Sequence, residues 1–542
     1  MARSVIDPIS RIEGHLRVEM EVEGGVVKDA WVSGSLFRGV EMILKGREPR
    51  DAYFVTQRIC GVCPVSHAHA STLATEAALK VKTPYNAVII RNLIEGAQFL
   101  HSHILWFYNL AALDWVNPVN ALKANIADTY SLAQAAGTST ADFGAVQNRL
   151  KGFVDNGQLS IFSGNWFDAP GYKLPAELDL IATSHYLEAL EMQAVASQIS
   201  GIIGGKMPHI MSTAPGGSTW VPTELTLDDV LFRFIRLNEW IKSTMIPDTL
   251  AIAPFYLDAL KYGKGVGDFA AWGVFDEKSR DPKKRALPAG IVIGGKLSDV
   301  DEAKIAEYVK HAYYTSPTGL NPTKGETVPE YKDYDVNDKY SWSKAPRYDG
   351  KPLEVGGLAR LFVAYMAGVP RIKELIDSTL KALGAEGKPE VLISTLGRTA
   401  GRNLEALYVS ELCLQYVTDL IANIKGGDAA FYEPITATEG EGTGMWEAPR
   451  GALLHYTNVK GNKIENYQCI VPSTWNISPR DDSDVRGPME ESLIGCPVED
   501  IDKPLHALRT VHSFDPCVAC AVHLSEPKTK KSFTVMTSPF GR

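Results

Sequence analysis

The pattern of apolar and polar positions divides the chain into two kinds of segment. Near the start, residues 16–23 and 26–32 alternate in hydrophobicity around Gly24-Gly25, which predicts a β hairpin. Alternation returns at 451–473 and predicts a second hairpin. Between the two, apolar residues recur at helical spacing over residues 86–112, 176–203, 225–246, 358–366 and 404–424. Several of these stretches exceed twenty residues, which favours a helical bundle.

Residues 262–355 interrupt the helical pattern. They are rich in Gly, Pro, Lys, Asp and Tyr, and we predict an irregular surface or partner-facing excursion with short strands. The expected fold is α+β and predominantly α, with a long-helix bundle core and peripheral β hairpins near both ends of the chain. Within one large domain, the segments are 1–57 (β-rich), 58–261 (helical), 262–355 (irregular), 356–425 (helical), 426–523 (β-rich) and a tail at 524–542.

Composition narrows the function classes. The 542 residues carry a net charge of -9, with 45% hydrophobic and 22% charged residues, as in soluble globular proteins. The chain lacks the excess of basic residues that would indicate a nucleic-acid partner. There is no apolar run long enough to span a bilayer, and the N-terminus lacks an apolar signal core. Export therefore depends on another protein, if it occurs.

Four of the seven cysteines form two C-x-x-C pairs near opposite ends of the chain, Cys60/Cys63 and Cys517/Cys520. Each spacing brings two sulfurs close enough to share one ion, and four thiolates select zinc, iron–sulfur clusters or other polarizable metals. A structural zinc and a dithiol redox pair are the alternatives. The long separation disfavours a local zinc loop, and no βαβ pattern supports a redox fold. Cys413, in an apolar helical run, is predicted to be a core residue.

The motif R-x-C-G-x-C-x-x-x-H at residues 58–67, followed by D-P-C-x-x-C-x-x-H at residues 515–523, resembles the large subunit of nickel–iron hydrogenases. The resemblance extends along the whole chain. Further matching segments are residues 7–15 (DPISRIEGH), 112–115 (ALDW), 448–451 (APRG) and 471–475 (VPSTW).

The resemblance implies that all four paired cysteines bind nickel. Cys60 and Cys517 would be terminal ligands, while Cys63 and Cys520 would bridge nickel to an iron that carries carbon monoxide and cyanide. The implied reaction is the reversible heterolytic cleavage of dihydrogen into a hydride and a proton. Such a reaction needs an electrophilic metal and a nearby base.

The resemblance also assigns proton-handling roles. Cys517 is the best candidate for the base, and Arg450 is the rival. A guanidinium is normally locked in its charged form, which favours an electrostatic or hydrogen-bonding role for Arg450. Glu13 matches the family's proton-relay glutamate. Without the family, it would be interpreted as an ordinary residue at the entry to a strand.

Four further residues match the surroundings of the family's metal pair. Asp114 and Asp515 match acids that pair with the arginine, here Arg450. Asp515, which precedes a proline, could also cap the turn that presents the second cysteine pair. Pro449 and Ser473 match an apolar wall and a hydroxyl donor beside the diatomic ligands on iron.

A second metal site is implied as well. Glu41, the backbone carbonyl of Cys469 and His523 match the family's magnesium site. Carboxylate and carbonyl oxygens suit magnesium, although the imidazole leaves another divalent ion possible. His67 is expected to support its own loop by hydrogen bonding.

Partners and processing follow from the same resemblance. Once the two cysteine pairs bind the nickel–iron group, the chain has no further cysteine cluster that could hold an iron–sulfur relay for electrons. A small subunit that carries iron–sulfur clusters is therefore required. That subunit would also carry export to a periplasmic or membrane-associated location, with a membrane cytochrome as a further partner of the complex. Residues 524–542 resemble a precursor tail that a maturation endopeptidase removes after His523.

Three alternatives remain within this interpretation. The chain could be a cytoplasmic, cofactor-linked nickel–iron hydrogenase subunit instead of a respiratory uptake enzyme. It could also be a non-catalytic, zinc-stabilised relative. The quinone-binding subunit of respiratory complex I resembles the family but lacks the cysteines, and all four cysteines are present here.

Overall fold

A computed structural model describes residues 2–157, 159, 162, 165–315 and 317–521, without the side chains of residues 520 and 521. About 48% of the chain is helical and 16% forms strands in several small sheets, which confirms a predominantly helical α+β composition. No helix among the described residues combines the length and apolar character needed to cross a bilayer.

Helices supply most of the scaffold. The α-helices of the described residues are α1 (Val40–Leu44), α2 (Ala52–Thr56), α3 (Pro64–Ala78), α4 (Tyr85–Ile104), α5 (Ile126–Ala136), α6 (Phe143–Asp155), α7 (Ala176–Gly204), α8 (Glu224–Trp240), α9 (Ile246–Ile252), α10 (Gly357–Met366), α11 (Pro370–Ala382), α12 (Thr395–Lys425), α13 (Pro472–Asn476), α14 (Pro488–Leu493), α15 (Leu505–Ser513) and α16 (Val518–Ala521).

Strands form small antiparallel sheets around these helices. They are β1 (Ala2–Ile6), β2 (Leu16–Glu23), β3 (Val26–Gly34), β4 (Thr213–Ala214), β5 (Gly217–Ser218), β6 (Phe269–Ala271), β7 (Gly290–Ile293), β8 (Lys296–Ser298), β9 (Ile305–Tyr308), β10 (Ala345–Tyr348), β11 (Gly440–Ala448), β12 (Gly451–Lys460) and β13 (Lys463–Ile470). The sheet orders are β1-β2-β3, β6-β7-β8 and β11-β12-β13, with β4-β5 and β9-β10 as pairs. Both predicted hairpins are confirmed, as β2-β3 and β12-β13.

The long helices pack against one another in the middle of the chain. Helix α4 packs against α7 and α12, and α8 packs against the same two helices. Local sequence explains several of their ends. Helix α7 begins after Pro175 and is followed by the capping residue Gly205, whose φ of 79° is the left-handed conformation that favours glycine. At the start of α8, Thr223 and Thr226 form a reciprocal capping box.

The segment predicted as one helix over 86–112 is not uniform. Helix α4 ends at Ile104, a π-helical segment covers Leu105–Ala111, and a 3₁₀ turn covers Ala112–Asp114. Within the π segment, the Trp106 indole donates to the carbonyl of His512 at 2.9 Å, and the Tyr108 hydroxyl donates to Asp248 at 2.7 Å. These distant partners are compatible with a local departure from α-helical geometry that apolar spacing does not reveal.

The irregular segment 262–355 contains the short strands β6 to β10, as predicted. It is not confined to the surface, because Trp272 and Tyr340 are fully buried. Aromatic side chains on irregular backbone therefore contribute to the interior, so this surface or partner-facing excursion is also anchored in the core.

Candidate metal centre

Cysteines from the two ends of the chain meet in the interior. Cys60 follows the 3₁₀ turn Gln57–Ile59, Cys63 directly precedes α3, and Cys517 directly precedes α16. All three are at most 2% exposed, and their Sγ atoms lie within 4.8 Å of one another. The Cys60 and Cys517 sulfurs are 3.2 Å apart. The predicted meeting of the two pairs is confirmed for these three, while the side chain of Cys520 lies outside the described residues.

The donor chemistry fits a soft metal. Three sulfurs face one small buried volume, where thiolates are the preferred ligands of polarizable metals. The backbone N–H groups of Val62 and Cys63 donate to the Cys60 sulfur at 3.2 Å and 3.3 Å. Such donors favour the deprotonated thiolate that metal binding requires. These residues therefore fit the nickel–iron group implied by the sequence.

Arg450 lies in the two-residue link between β11 and β12 and is 2% exposed. Its Nη2 is 3.0 Å from Asp515 Oδ1, and its Nη1 is 3.4 Å from the Ser102 hydroxyl. Burial opposes the charged form, but Asp515 and the cysteine thiolates raise the pKa of Arg450 above its ordinary value. A guanidinium held so firmly in its charged form favours an electrostatic role over a role as base.

Glu13 joins the N-terminal segment to the second cysteine pair. Its backbone carbonyl accepts from Val518 N–H at 2.8 Å, and its carboxylate accepts from Ala519 N–H at 2.8 Å. The Cys517 thiol donates to the same carboxylate at 3.2 Å. Burial, and then the charge of Cys60, raises the pKa of Glu13, so the carboxyl changes protonation nearer to neutral pH.

Gly14 permits this close approach. Its φ is +84°, and a Cβ built there would lie 2.8 Å from the Ala519 nitrogen and 2.9 Å from the Val518 Cβ. Both the conformation and the space therefore require glycine.

We expect Gly14→Ala to separate Glu13 from Cys517. Left-handed strain and the clash with Ala519 should lower the apparent Tm by several degrees. The substitution should also reduce the nickel content and the H2 oxidation that the sequence resemblance implies. Differential scanning fluorimetry, metal analysis and a dye-linked assay measure the three effects. Gly46→Ala, at φ +80° with nothing within 4 Å, is the matched control for backbone strain alone. Equal nickel content and activity in the two variants would contradict this role of Gly14.

The two predicted acids have different partners. Asp515 pairs with Arg450, as predicted. Asp114 does not follow the prediction: its carboxylate contacts Arg11 Nη2 at 2.5 Å and His512 Nδ1 at 2.6 Å. The 3₁₀ turn that ends at Asp114 directs its side chain toward the N-terminal segment and α15. Although burial opposes ionisation, Arg11 and then His512 lower the pKa of Asp114 to about 2.

Ser473 and Pro449 lie at the edges of the same centre. The Ser473 hydroxyl oxygen accepts from Cys517 N–H at 2.9 Å, which leaves the hydroxyl hydrogen for another acceptor. Pro449 directly precedes Arg450, and its carbonyl accepts from Arg360 at 2.8 Å. Both placements are compatible with the predicted donor and wall.

A second cluster surrounds Glu41 in α1. One oxygen of the Glu41 carboxylate accepts from Cys469 N–H at 2.8 Å, and the other accepts from the Thr327 hydroxyl. Glu307 is buried close by and pairs with Lys344 at 3.1 Å. Burial raises the pKa of Glu307. The charge of Lys344 opposes this shift, and the charge of Glu41 adds to it. His523, the third predicted magnesium ligand, lies outside the described residues.

His67 contacts a second histidine. Its Nδ1 lies 3.1 Å from His455 Nε2, and His455 Nδ1 lies 2.7 Å from the Tyr467 hydroxyl. Burial lowers the pKa of His67 to about 4, so the ring is neutral near pH 7. A neutral imidazole in a hydrogen-bonded chain agrees with the predicted supporting role.

Comparison with known proteins decides the family. The model of the nickel-dependent hydrogenase family matches residues 38–523, and a HoxL-like model matches residues 3–33. The chain belongs to the nickel-dependent hydrogenases. It is 40% identical to the hydrogenase-2 large chain of Escherichia coli (strain K12), covering 96% of this chain and 97% of that protein. It is 41% identical to the uptake hydrogenase large subunit of Rhodobacter capsulatus, covering 96% and 95%.

Solved structures give the same result for the fold. The as-isolated Ni-Fe-Se hydrogenase of Desulfovibrio vulgaris Hildenborough matches with a TM-score of 0.80 and 36% identity, over 96% of this chain and 100% of that one. The reduced, active Ni-Fe-Se hydrogenase of Desulfomicrobium baculatum matches with a TM-score of 0.80 and 35% identity over the same shares. This hydrogenase chain is therefore the large, catalytic subunit of an oxidoreductase that acts on H2, and it has cysteine at all four motif positions.

Sequence reasoning did not identify two arginines of the hydrogenase site, Arg38, which is half-buried, and Arg402, which is buried. Arg38 donates to the carbonyls of Arg58 at 2.9 Å and Ala519 at 2.7 Å, joining the segments that carry the two cysteine pairs. It stands only three residues before Glu41, so its neighbourhood could have indicated it. Arg402 lies in the N-terminal third of α12, where no sequence motif surrounds it.

Proposed function

We propose that this subunit belongs to an uptake-type enzyme that oxidises H2 for respiration. The observation that carries the proposal is the buried set of three cysteine sulfurs within 4.8 Å, with Glu13 hydrogen-bonded to Cys517. This arrangement combines ligands for a redox-active metal with a route for a proton. The uptake hydrogenase large subunits among its relatives support the direction of the reaction.

In this proposal, Cys60, Cys63, Cys517 and Cys520 would hold the nickel–iron group, with Cys60 and Cys517 serving nickel alone and Cys63 and Cys520 serving both metals. Carbon monoxide and cyanide would complete the ligands of the iron. When bound, this group supplies the electrophilic metal at which dihydrogen is split heterolytically. The chain supplies a closed, largely buried environment in which the thiolates are kept away from bulk water.

The proton from H2 passes through the chain's own side chains. The Cys517 sulfur accepts it, and Glu13, 3.2 Å away, receives it from the thiol. A carboxyl with a raised pKa suits both accepting and releasing a proton near neutral pH. Glu13 is partly exposed in this chain, which allows onward transfer toward the surface.

Arg450 acts as a fixed positive charge. Asp515 orients it, and its charge stabilises the neighbouring thiolates and any anionic ligand beside them. Pro449 and Ser473 border the proposed position of the diatomic ligands, with the remaining Ser473 hydroxyl hydrogen as a donor. Asp114 acts indirectly, by anchoring Arg11 and His512.

We also propose a magnesium ion at Glu41, the Cys469 carbonyl and His523. Two buried carboxylates, Glu41 and Glu307, face a single lysine, Lys344, so a divalent cation would offset the remaining negative charge. Oxygen ligands suit magnesium. The site would brace α1 against β13 and the end of the mature chain.

Electrons leave through a partner. The three remaining cysteines, Cys413, Cys469 and Cys496, are single, buried residues without the spacing of a cluster motif. We therefore propose an iron–sulfur small subunit, at least as a heterodimer, with a membrane cytochrome as electron acceptor for the complex. A periplasmic or membrane-associated location then depends on the small subunit.

Residues 524–542 form a tail that we propose is removed by a maturation endopeptidase after His523. Removal would free the carboxyl end beside the second cysteine pair once the metals are bound. Intact-mass measurement of the active enzyme is expected to show a chain that ends at His523. A mass that includes Leu524 to Arg542 would contradict the proposal.

Hydrogen–deuterium exchange under D2 tests the proposed chemistry without an electron acceptor. The purified heterodimer is expected to form HD and H2 from D2 in H2O, because heterolytic cleavage releases one deuteron to exchangeable groups. Dye-linked H2 oxidation measures the electron output in parallel. An enzyme that oxidises H2 only with a soluble nicotinamide cofactor would instead favour the cytoplasmic, cofactor-linked type, and the absence of both activities would contradict the proposal.

A further inference from the structure

Arg402 contacts both segments that form the centre. It lies in α12 and is 3% exposed. Its Nη1 donates to the Pro449 carbonyl at 3.2 Å, and its Nη2 donates to the Phe514 carbonyl at 2.9 Å. Pro449 directly precedes Arg450, and Phe514 lies three residues before Cys517. A single guanidinium therefore joins the turn that carries the arginine of the centre to the turn that carries its cysteine.

Asp515 lies between two guanidinium groups. Arg450 Nη2 is 3.0 Å from Asp515 Oδ1, and Arg402 Nη1 is 3.8 Å from Asp515 Oδ2. Arg402 thus approaches the carboxylate oxygen of Asp515 that Arg450 does not pair with. The Arg402 guanidinium also stacks on Trp106 at 4.9 Å, which fixes its plane.

The neighbouring Arg360 differs in its charge balance. Arg360 pairs with Glu405 at 2.6 Å and with Glu447 at 2.7 Å, so its charge is locally compensated. For Arg402, the only carboxylate within ion-pair distance among the described residues is Asp515, which Arg450 shares. Burial, together with Arg360 and Arg450, lowers the pKa of Arg402 to about 10, so it stays charged near pH 7.

We propose that Arg402 is a positioning residue for the hydrogenase reaction, holding Asp515 and the Pro449-Arg450 turn so that the Arg450 guanidinium keeps its place beside the thiolates. The proposal rests on the proposed role of Arg450. Arg402 acts through Arg450 and Asp515, because its guanidinium contacts the Pro449 and Phe514 carbonyls and the Asp515 carboxylate.

Arg402→Met tests this positioning directly, because methionine keeps much of the apolar side chain but removes both carbonyl contacts and the charge. Amide hydrogen exchange of the full chain is expected to accelerate roughly tenfold or more in peptides covering residues 448–452 and 513–519, since two charge-assisted hydrogen bonds are lost. In the metal-loaded heterodimer, kcat for H2 oxidation is expected to fall roughly 10–100-fold with little change in KM.

Arg285→Met is the matched control. Arg285 is also buried, pairs with Asp276 at 2.7 Å, donates to three backbone carbonyls and stacks on Trp446 at 4.6 Å. The Arg285→Met variant should lower the Tm to an extent similar to Arg402→Met. Amide hydrogen exchange in the peptides 448–452 and 513–519 should stay as in the wild type. Arg402→Lys keeps the charge but lacks the planar fork, so it should restore only part of kcat.

Infrared bands of the iron-bound carbon monoxide and cyanide give a further readout. They are expected to shift in Arg402→Met and to stay at wild-type positions in Arg285→Met. Wild-type exchange in both peptides together with an unchanged kcat in Arg402→Met would overturn the proposal. If the wild-type enzyme fails to act on H2, the proposed function fails, while hydrogen exchange still decides whether Arg402 holds the two turns.

Discussion

Replacing Cys517 by serine should leave a folded chain without nickel and without activity toward H2. A serine hydroxyl is a hard metal ligand that does not readily lose its proton, whereas polarizable metals bind preferentially to soft thiolates. Cys517 also lies where Cys60 Sγ (3.2 Å) and the Glu13 carboxylate (3.2 Å) converge, so the variant removes the proposed metal ligand and the proposed proton acceptor together. Elemental analysis and the dye-linked assay measure both losses.

Cys413→Ala provides the control for this variant. Cys413 is equally buried, but it lies in α12 with its sulfur against Gly96. Its loss should cost stability through a small cavity while nickel content and specific activity stay at wild-type levels. A Cys517→Ser enzyme with full nickel and undiminished activity would contradict the assignment of Cys517 as a ligand.

Changing Glu13 to glutamine should lower H2 oxidation by about 10²- to 10⁴-fold, the usual contribution of a positioned proton-transfer group, while nickel is retained. Glutamine keeps an oxygen that can accept from Ala519 N–H, at present 2.8 Å from the carboxylate, so the local fold should persist. It cannot accept the proton from Cys517. The effect should therefore fall on kcat, measured in the dye-linked assay, and leave KM almost unchanged.

Glu19→Gln is a suitable comparison, because Glu19 is a buried carboxylate in strand β2 that pairs with Arg17 at 2.8 Å instead of with a cysteine. It should alter stability and leave kcat near the wild-type value. If Glu13→Gln and Glu19→Gln have the same kcat, Glu13 is not part of the proton route.

Sequence periodicity predicted the parts of the fold whose pattern is local. The β2-β3 hairpin follows from alternation around Gly24-Gly25, and α7 agrees with its predicted bounds within a residue. Helix α12 begins at Thr395, nine residues before the predicted start, because buried polar residues such as Arg398 and Arg402 interrupt the apolar pattern. Their partners are distant in sequence, so local spacing could not place them inside a helix.

Some residues of the site could likewise be identified from the sequence, and others could not. The spacing of the cysteines indicated a metal site, and the resemblance to the hydrogenase family added Glu13 and Arg450, because both lie in short segments that match its motifs. The partner of Asp114 could not be predicted, since Arg11 and Arg450 are both available cations and only the three-dimensional path of the 3₁₀ turn selects between them. Arg402 was not identified for the related reason that its contacts are to backbone carbonyls, which any residue provides.

The most direct test of the central claim is the metal content of the purified active enzyme, measured together with its infrared spectrum. The cysteine centre predicts stoichiometric nickel in the large subunit, with bands from bound carbon monoxide and cyanide that disappear in Cys517→Ser. Stoichiometric zinc without nickel, and a spectrum without those bands, would contradict the account and indicate a structural metal site instead.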